Sequence, residues 1–153
     1  MHPRRRTVVV VAAFGLWASG AWAQDRVPAT GESTRAERLF CEDKLHGELW
    51  SRTELYFGLS RSDGPNISEE EFQHFLDTVV TPRFPDGLTL LSGNGQFRGS
   101  SGIVIREPSK LLILFFPWSN AKHRAIEKIR TIYKNSFHQE AVLRSDAVSC
   151  VSF

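Results

Sequence analysis

Alternation of hydrophobic and polar residues predicts β-strands over most of the chain after position 50, because side chains on a strand point to opposite faces in turn. Branched and aromatic residues between turn-forming segments strengthen this prediction. Gly93 and Gly95 predict a bulge or bend within the second strand. The strands are predicted at Trp50–Leu59, around Leu88–Arg98, around Ile103–Phe116, and as one or two strands within the closing EAVLRSDAVSCVSF.

Hydrophobic residues at helical spacing predict two helices between these strands. Ser68 followed by Glu71 forms a capping box at the start of the first helix, and Thr81-Pro82 ends it. Asn120 is expected to cap the second helix. The buried positions are predicted to be Phe72, Phe75, Leu76, Val79 and Val80 in the first helix, and Ala125, Ile126, Ile129, Tyr133 and Phe137 in the second.

The element order β-α-β-β-α-β predicts an α+β fold of the ferredoxin-like type, an antiparallel sheet with two helices on one face. One domain is expected to span residues 50–153. Residues 24–35 are polar, lack periodicity and are expected to form a leader. The stretch from Ala36 to Leu49 is compatible with a short helix or with a loop.

The amino terminus has the three parts of a secretory signal peptide, so we expect residues 1–23 to be removed. Three arginines precede an uncharged run from Thr7 to Trp17, and Ala21-Trp22-Ala23 supplies an A-x-A cleavage site. A membrane anchor is the alternative, but the apolar run is shorter than the roughly 20 residues of a spanning helix. The sequence therefore predicts an exported protein, periplasmic or secreted, with no membrane anchor after cleavage.

Cleavage changes the charge balance and leaves two cysteines. Removing residues 1–23 with their three arginines leaves 16 basic and 17 acidic side chains, a formal charge of −1. This composition gives no reason to expect a nucleic acid partner. Cys41 and Cys150 predict one disulfide in an exported protein. The histidines are scattered and no metal-ligand spacing is present, so no metal site is predicted.

The two faces of the predicted sheet pose the functional question. On the first strand, Thr53, Leu55 and Phe57 should face the helices, whereas Arg52, Glu54 and Tyr56 share the other, open face. The segment KLLILFF (110–116) is apolar on both faces, although helices cover only one. Because a large bare apolar patch is rare, a second copy of the chain, a bound ligand or the amino-terminal segment should cover the open face.

Glu54 lies on that open face, where it is expected near Lys110 or Arg98. It either forms an ion pair that fixes sheet register, or it lines a cleft as a proton donor or acceptor or as a ligand anchor. Arg83 is expected to cap helix carbonyls or to bind an anion. The candidate ligand-binding residues are Glu54, Tyr56, Arg83, Gln96, Arg98, Glu107, Lys110 and Arg144. The residues that flank strands and are expected to reach the open face are Gln96, Arg98, Gln139, Glu140 and Arg144.

Two functions follow from these residues. The first is a ligand-binding or protein-interaction module that uses the open sheet face, with a second copy of the chain among the candidate partners. The alternative is a small enzyme with Glu54 as its acid or base. No cofactor is expected: in GNGQFRG (93–99) the third glycine is one position late for a dinucleotide-binding motif, and a strand follows it.

Several segments in order resemble a bacterial family catalogued as domain of unknown function 3574. They are RTELYFG (52–58), VTPRFPDGLT (80–89), GNGQFRG (93–99), REPSKLLIL (106–114), QEAVLR (139–144) and VSF (151–153). The resemblance covers about Trp50 to Phe153. It implies a small exported protein and assigns no activity, cofactor or catalytic residue.

Overall fold

A computed structural model describes residues 31–61 and 64–153, so the predicted signal peptide lies outside the described residues. Helix α1 begins inside the segment predicted as a leader, and it settles the helix-or-loop alternative for the residues before Leu45 in favour of a helix. The elements are α1 (Gly31–Leu45), β1 (Glu48–Gly58), α2 (Glu69–Phe75) continued by a π-helical turn (Leu76–Val80), β2 (Thr89–Arg98), β3 (Val104–Phe116), α3 (Asn120–Phe137) and β4 (Leu143–Val151).

The four strands form one antiparallel sheet in the order β2-β3-β1-β4, which confirms the α+β class. Of the bulge or bend predicted in β2, the bulge is wrong. Pairing between β2 and β3 runs residue for residue from Thr89 opposite Ile113 to Arg98 opposite Val104. Gly93 and Gly95 therefore lie in a regular strand, and the flanking hydrogen-bonded ladder accommodates them without an extra residue.

Local capping chemistry sets the helix starts. Ser68 N donates to Glu71 Oε2 at 2.8 Å and Glu71 N donates to Ser68 Oγ at 3.2 Å, so the predicted capping box is confirmed. The predicted cap of α3 is wrong by one residue. Ser119 is the N-cap, because its backbone is extended and its Oγ accepts a hydrogen bond from Lys122 N at 3.1 Å.

The core lies between the sheet and the two helices α2 and α3, and aromatic rings fill one end of it. Phe57 on β1 contacts Phe72, Phe75 and Tyr133, with ring centroids 5.6, 5.8 and 4.5 Å away. The Tyr133 hydroxyl donates to the carbonyl oxygen of Gly58 at 2.8 Å, which satisfies the polar end of a buried ring.

The predicted disulfide is confirmed: Cys41 on α1 is bonded to Cys150 on β4, with their Cα atoms 5.5 Å apart. It fixes α1 against the ends of β1 and β4. A Cβ atom at Gly47 would lie 2.6 Å from the Val151 carbonyl oxygen, so a glycine is needed where the chain enters β1. None of the helices in residues 31–61 and 64–153 is long and apolar enough to cross a membrane.

Candidate functional site: a polar cavity beside helix α3

A cavity of about 750 Å³ lies on the helix-bearing side of the sheet, between β1, β4 and the first turns of α3. Its volume falls within the roughly 300–1,000 Å³ that is usual for small-molecule sites. Polar and apolar side chains share the lining. The polar ones include Thr53, His123, Arg144 and Asp146, and the apolar ones include Phe116, Trp118 and Val148.

The register between β1 and β4 assembles the polar part of this lining. Thr53 pairs with Asp146, and Leu55 pairs with Arg144. Residues at alternate positions of a strand share a face, so Arg144 and Asp146 point to the same helix-bearing side as Thr53. The prediction that Arg144 reaches the open face is therefore wrong.

Arg144 is the centre of a hydrogen-bonded cluster. Its Nε donates to Asp146 Oδ2 at 2.7 Å and its Nη2 donates to Asp146 Oδ1 at 2.9 Å, a bidentate pair. Its Nη1 donates to Glu127 Oε1 on α3 at 2.9 Å. Only 15% of the Arg144 side chain is exposed, so the geometry of the guanidinium is held on two sides.

His123 joins the cluster through its Nδ1, which lies 3.1 Å from Arg144 Nη1. A guanidinium only donates hydrogen bonds, so Nδ1 must be the acceptor. A neutral His123 then carries its hydrogen on Nε2, where it can donate to another group. On the other side of the cluster, the buried Thr53 hydroxyl donates to Asp146 Oδ1 at 2.6 Å.

These contacts keep the two carboxyl groups of the cluster, those of Asp146 and Glu127, ionised. Burial alone would raise the pKa of Asp146, but hydrogen bonds from Arg144 and Thr53 outweigh it and the pKa is lowered. The pKa of Glu127 is lowered in the same way, because hydrogen bonds from Arg144 and Arg130 exceed the effect of burial. Asp146 therefore remains a carboxylate at neutral pH, and with 48% of its side chain exposed it can accept a further hydrogen bond.

An aromatic wall borders the polar cluster. Trp118 lies in the short segment between β3 and α3 and is 66% exposed, whereas the neighbouring wall residue Phe116 is buried. Val148 on β4 is 67% exposed and adds an apolar surface. The cavity is thus lined by a carboxylate, an imidazole and an indole ring.

Glu54 and Tyr56 lie on the open face, as predicted, but not beside the predicted partners. Glu54 forms an ion pair with Arg52 and accepts a hydrogen bond from the Tyr56 hydroxyl at 2.7 Å. Lys110 points to the opposite, helix-bearing side, where its Nζ lies 2.6 Å from Glu69 Oε2. Placing Glu54 near Lys110 is therefore wrong, because the register puts Lys110 opposite Phe57.

The second predicted partner, Arg98, is also remote from Glu54. Glu54 pairs with Ile113, and Ile113 pairs with Thr89, so Arg98 is nine positions further along β2. At about 3.4 Å a residue, that separation is roughly 30 Å. An acid–base pair of Glu54 with Arg98 or Lys110 does not fit this geometry.

The remaining candidates take structural positions. Arg83 donates to the Val79 carbonyl oxygen at 2.6 Å, which is the capping contact expected for it. Glu107 Oε2 accepts hydrogen bonds from the backbone N and the hydroxyl of Ser60 at 2.8 and 2.6 Å. Gln139 donates to the Ser60 carbonyl oxygen, and Glu140 accepts from Ser100 N.

Gln96 and Glu107 also line a second cavity of about 470 Å³, with Arg106 between them. Arg106 Nε donates to Gln96 Oε1 at 3.2 Å. Neither of these two cavities is lined by Glu54 or Tyr56. Among the described residues, no group of three or more histidine, cysteine, aspartate and glutamate side chains could hold a metal ion.

Sequence reasoning missed most of the cavity. It named Arg144 as a binding candidate but not Asp146, His123, Thr53 or Trp118. One local observation was available: Arg144 and Asp146 are opposite charges two positions apart on a strand, which places them on one face. That Thr53 and His123 meet them there depends on strand register and on the position of α3.

Most of the cavity lining and most of the sheet lie within a segment that matches a family model. Residues 52–153 match the model described as "Protein of unknown function (DUF3574)". The chain belongs to this family. No curated protein matches the DUF3574 chain.

Solved structures of phage SAM lyase are similar to this DUF3574 chain. The structure in complex with S-methyl-5'-thioadenosine has a TM-score of 0.52 at 16% identity, covering 68% of this chain and 90% of that one. The structure in the apo state has a TM-score of 0.48 at 16% identity, covering 67% and 89%. At this level of identity the likeness to the first structure concerns the fold alone.

Proposed function

We propose that this DUF3574 protein is a small-ligand-binding domain whose site is the polar cavity beside α3. The observation that carries the proposal is that the exposed Trp118 indole lies beside the hydrogen-bonded charges of Arg144 and Asp146 in a cavity of ligand size. Ligand sites are usually apolar concavities with a few fixed polar groups. The open face, where the sequence suggested a ligand, offers Glu54 already paired with Arg52.

The cavity favours a planar ring that carries both hydrogen-bond donors and acceptors. Trp118 supplies a face for stacking, which is worth about 1 kcal/mol for an aromatic pair. Asp146 accepts hydrogen bonds, and His123, with its hydrogen on Nε2, donates them. Arg144 contributes indirectly, because its donors already hold Asp146 and Glu127 in place.

Adenosine-type compounds are rational first probes for this site. Their heteroaromatic base has a stacking face, an exocyclic amine for Asp146 and ring nitrogens for His123. The solved phage SAM lyase that shares this fold was captured with S-methyl-5'-thioadenosine. That similarity supports the choice of probe. The reaction of the phage enzyme is not part of this proposal.

The test is a thermal-shift screen of residues 24–153 with S-methyl-5'-thioadenosine, adenosine and a broader panel of metabolites, followed by calorimetric titration of the hits. A ligand of the folded state raises the melting temperature. We expect a hit to stabilise the wild-type protein and the F40A variant but not W118A. Phe40 is a suitable control because it is also an exposed aromatic residue, on α1 rather than in the cavity.

Two outcomes separate the location of the site from the existence of a ligand. A hit that stabilises W118A and H123A as much as the wild type would place the ligand outside the cavity and refute the proposed site. The absence of any hit, with intact folding shown by circular dichroism, would refute small-ligand binding by the classes in the panel.

We further propose that the protein is exported after cleavage behind Ala23 and that its sheet has the ferredoxin-like arrangement. A Cys41–Cys150 disulfide is compatible with an oxidising compartment. Helices α2 and α3 each connect two strands that are not neighbours in the sheet, β1 to β2 and β3 to β4, which supports that arrangement. Amino-terminal sequencing of the protein recovered from the periplasm or medium tests the cleavage site.

A further inference from the structure

We propose that the open face of the sheet is the interface of a two-fold symmetric dimer, and that Arg52 and Glu54 of each copy pair with Glu54 and Arg52 of the other. The open face is the side of the four-stranded sheet that points away from the helices. Its residues include Arg52, Glu54, Tyr56, Leu91, Leu111, Ile113 and Phe115, with Leu143, Ser145 and Ala147 on the β4 edge. This interface is separate from the cavity and does not depend on the ligand proposed above.

The apolar part of this face is half-buried and continuous. Leu111, Ile113 and Phe115 occupy alternate positions on β3, and Phe115 remains 40% exposed although the opposite side of the same strand is buried. Leu91 on β2 pairs with Leu111 and is 49% exposed. Branched and aromatic residues on both sides of a strand are typical of a sheet that is covered on both faces.

The size of the face suits a second copy of the chain. Four strands about 4.8 Å apart and some 11 residues long span roughly 700 Å² of plane. A stable interface of standard size uses about 800 Å² of each partner. A single small ligand would leave most of such a surface in water.

The charges on the face are complementary to themselves. Arg52 and Glu54 lie two positions apart on the central strand β1, on either side of Thr53. A two-fold axis can lie midway between the two sheets, perpendicular to β1 and level with Thr53. It places Arg52 of each copy opposite Glu54 of the other. Packed sheets lie about 10 Å apart, a distance that these two long side chains can bridge together.

Arg52 has hydrogen-bonding capacity left for such a contact. Its Nη2 pairs with Glu54, and its guanidinium lies 5.8 Å from the centre of the Phe115 ring. The Arg52 side chain is 41% exposed, so the rest of the guanidinium is accessible to a second copy. Isologous interfaces use the same residues twice, so one adjacent pair of opposite charges generates two reciprocal ion pairs.

The decisive experiment is charge-swap complementation in the full mature protein. Sedimentation equilibrium should show a wild-type dimer that weakens as salt is raised. R52E and E54R should each raise the dimer Kd at least tenfold, because each places like charges opposite one another. Mixing the two variants should restore dimerisation as a heterodimer, and the double variant R52E/E54R should dimerise with itself.

A second charge swap serves as the control. Arg61 and Glu71 form an ion pair remote from the open face, between the segment after β1 and α2. R61E and E71R should leave the dimer Kd unchanged. If R52E does not fold, I113D probes the same face, and its loss of the dimer with retained secondary structure supports the proposal.

Three results would overturn the dimer. A wild-type protein that remains monomeric at 200 μM has no such interface. A dimer that tolerates R52E, E54R and I113D uses another surface. Single variants that lose the dimer but do not recover it on mixing would show that the charges act within one chain rather than between two.

Discussion

The helix-bearing side of the sheet has a packed half and a cavity half, both built on the same strand. In the packed half, Leu55 and Phe57 of β1 are fully buried beneath α2 and the later turns of α3. In the cavity half, Ser51 and the buried Thr53 of β1 line the cavity that Trp118 borders. A change from apolar to polar residues along one strand thus divides a single layer into a core and a site.

The two halves also differ in how their polar groups are satisfied. In the packed half, the Tyr133 hydroxyl donates to the Gly58 carbonyl oxygen, and the buried Lys110 pairs with Glu69 alone among the described carboxylates. In the cavity half, one arginine joins two carboxylates, with Arg144 between Asp146 and Glu127. Stability is therefore expected to depend on the packed half and ligand binding on the cavity half, and substitutions in each half can separate the two.

The largest effect should come from truncating the centre of the packed half. F57A removes a ring that contacts three other aromatic rings and is completely buried, so we expect a loss of about 3–5 kcal/mol in the free energy of unfolding. V148A is the control in the cavity half, and it should cost about 1 kcal/mol or less. Urea denaturation measures both, and equal losses would contradict the division into two halves.

The disulfide should have the next largest effect, because it closes the chain at the end of the cavity half. Cys41 and Cys150 are 109 positions apart, and removing a native disulfide costs roughly 2–5 kcal/mol. We expect C41S/C150S to lower the urea midpoint and to release α1 from the sheet. Amide hydrogen exchange should then be faster than in the wild type in α1 and unchanged in α3. An exchange rate in α1 equal to that of the wild type would contradict this role.

The sequence predicted the parts of this architecture that are encoded locally. The alternation in β1 and β3 and the Ser68–Glu71 capping box depend on residues within a few positions of one another. The side on which Lys110 lies could not be predicted, because alternation groups it with Leu112 without saying which face meets the helices. The structure resolves this by pairing Lys110 with Glu69 in the first turn of α2.

The cavity escaped prediction for the same reason. Arg144 and Asp146 are neighbours in sequence, but Thr53 reaches them only through the register of β1 with β4, some 90 positions apart. His123 and Glu127 reach them only because α3 crosses the sheet at that point. Non-local pairing creates the site, and a single sequence does not encode that pairing in any short segment.

A smaller effect tests the hydroxyl of the packed half. Y133F should lower the free energy of unfolding by about 1–2 kcal/mol at neutral pH, because the buried Gly58 carbonyl loses its donor. Y56F, which removes an exposed hydroxyl, should change it by less than about 0.5 kcal/mol. Similar losses in the two variants would show that the Tyr133 hydrogen bond contributes nothing specific.

Alkaline titration gives Y133F a second measurement. Burial raises the pKa of the Tyr133 hydroxyl well above its usual range. An unfolded tyrosine loses its proton near pH 10 while the folded one keeps it, so the wild-type protein loses stability as pH rises above about 10. Y133F should lose less over the same range, and identical alkaline profiles would contradict burial of a protonated hydroxyl.

The smallest effect should come from the charges of the cavity half. The pKa of the Asp146 carboxyl is lowered in the folded protein. Its contribution to the free energy of unfolding is therefore present above the unfolded pKa near 3.9 and is lost as pH falls through the folded pKa. D146N should therefore be less stable than the wild type at pH 7 by about 0.5–1 kcal/mol, a small figure because Asp146 is half exposed. The difference should shrink as the pH falls below the unfolded value near 3.9 and through the lowered pKa of the folded carboxyl. D86N, which changes an exposed carboxylate in the turn before β2, should follow the wild-type curve throughout. A difference between D146N and the wild type that stays constant from pH 7 to pH 2 would show that the residue acts through packing, and that the cavity does not depend on the charge that we assign to it.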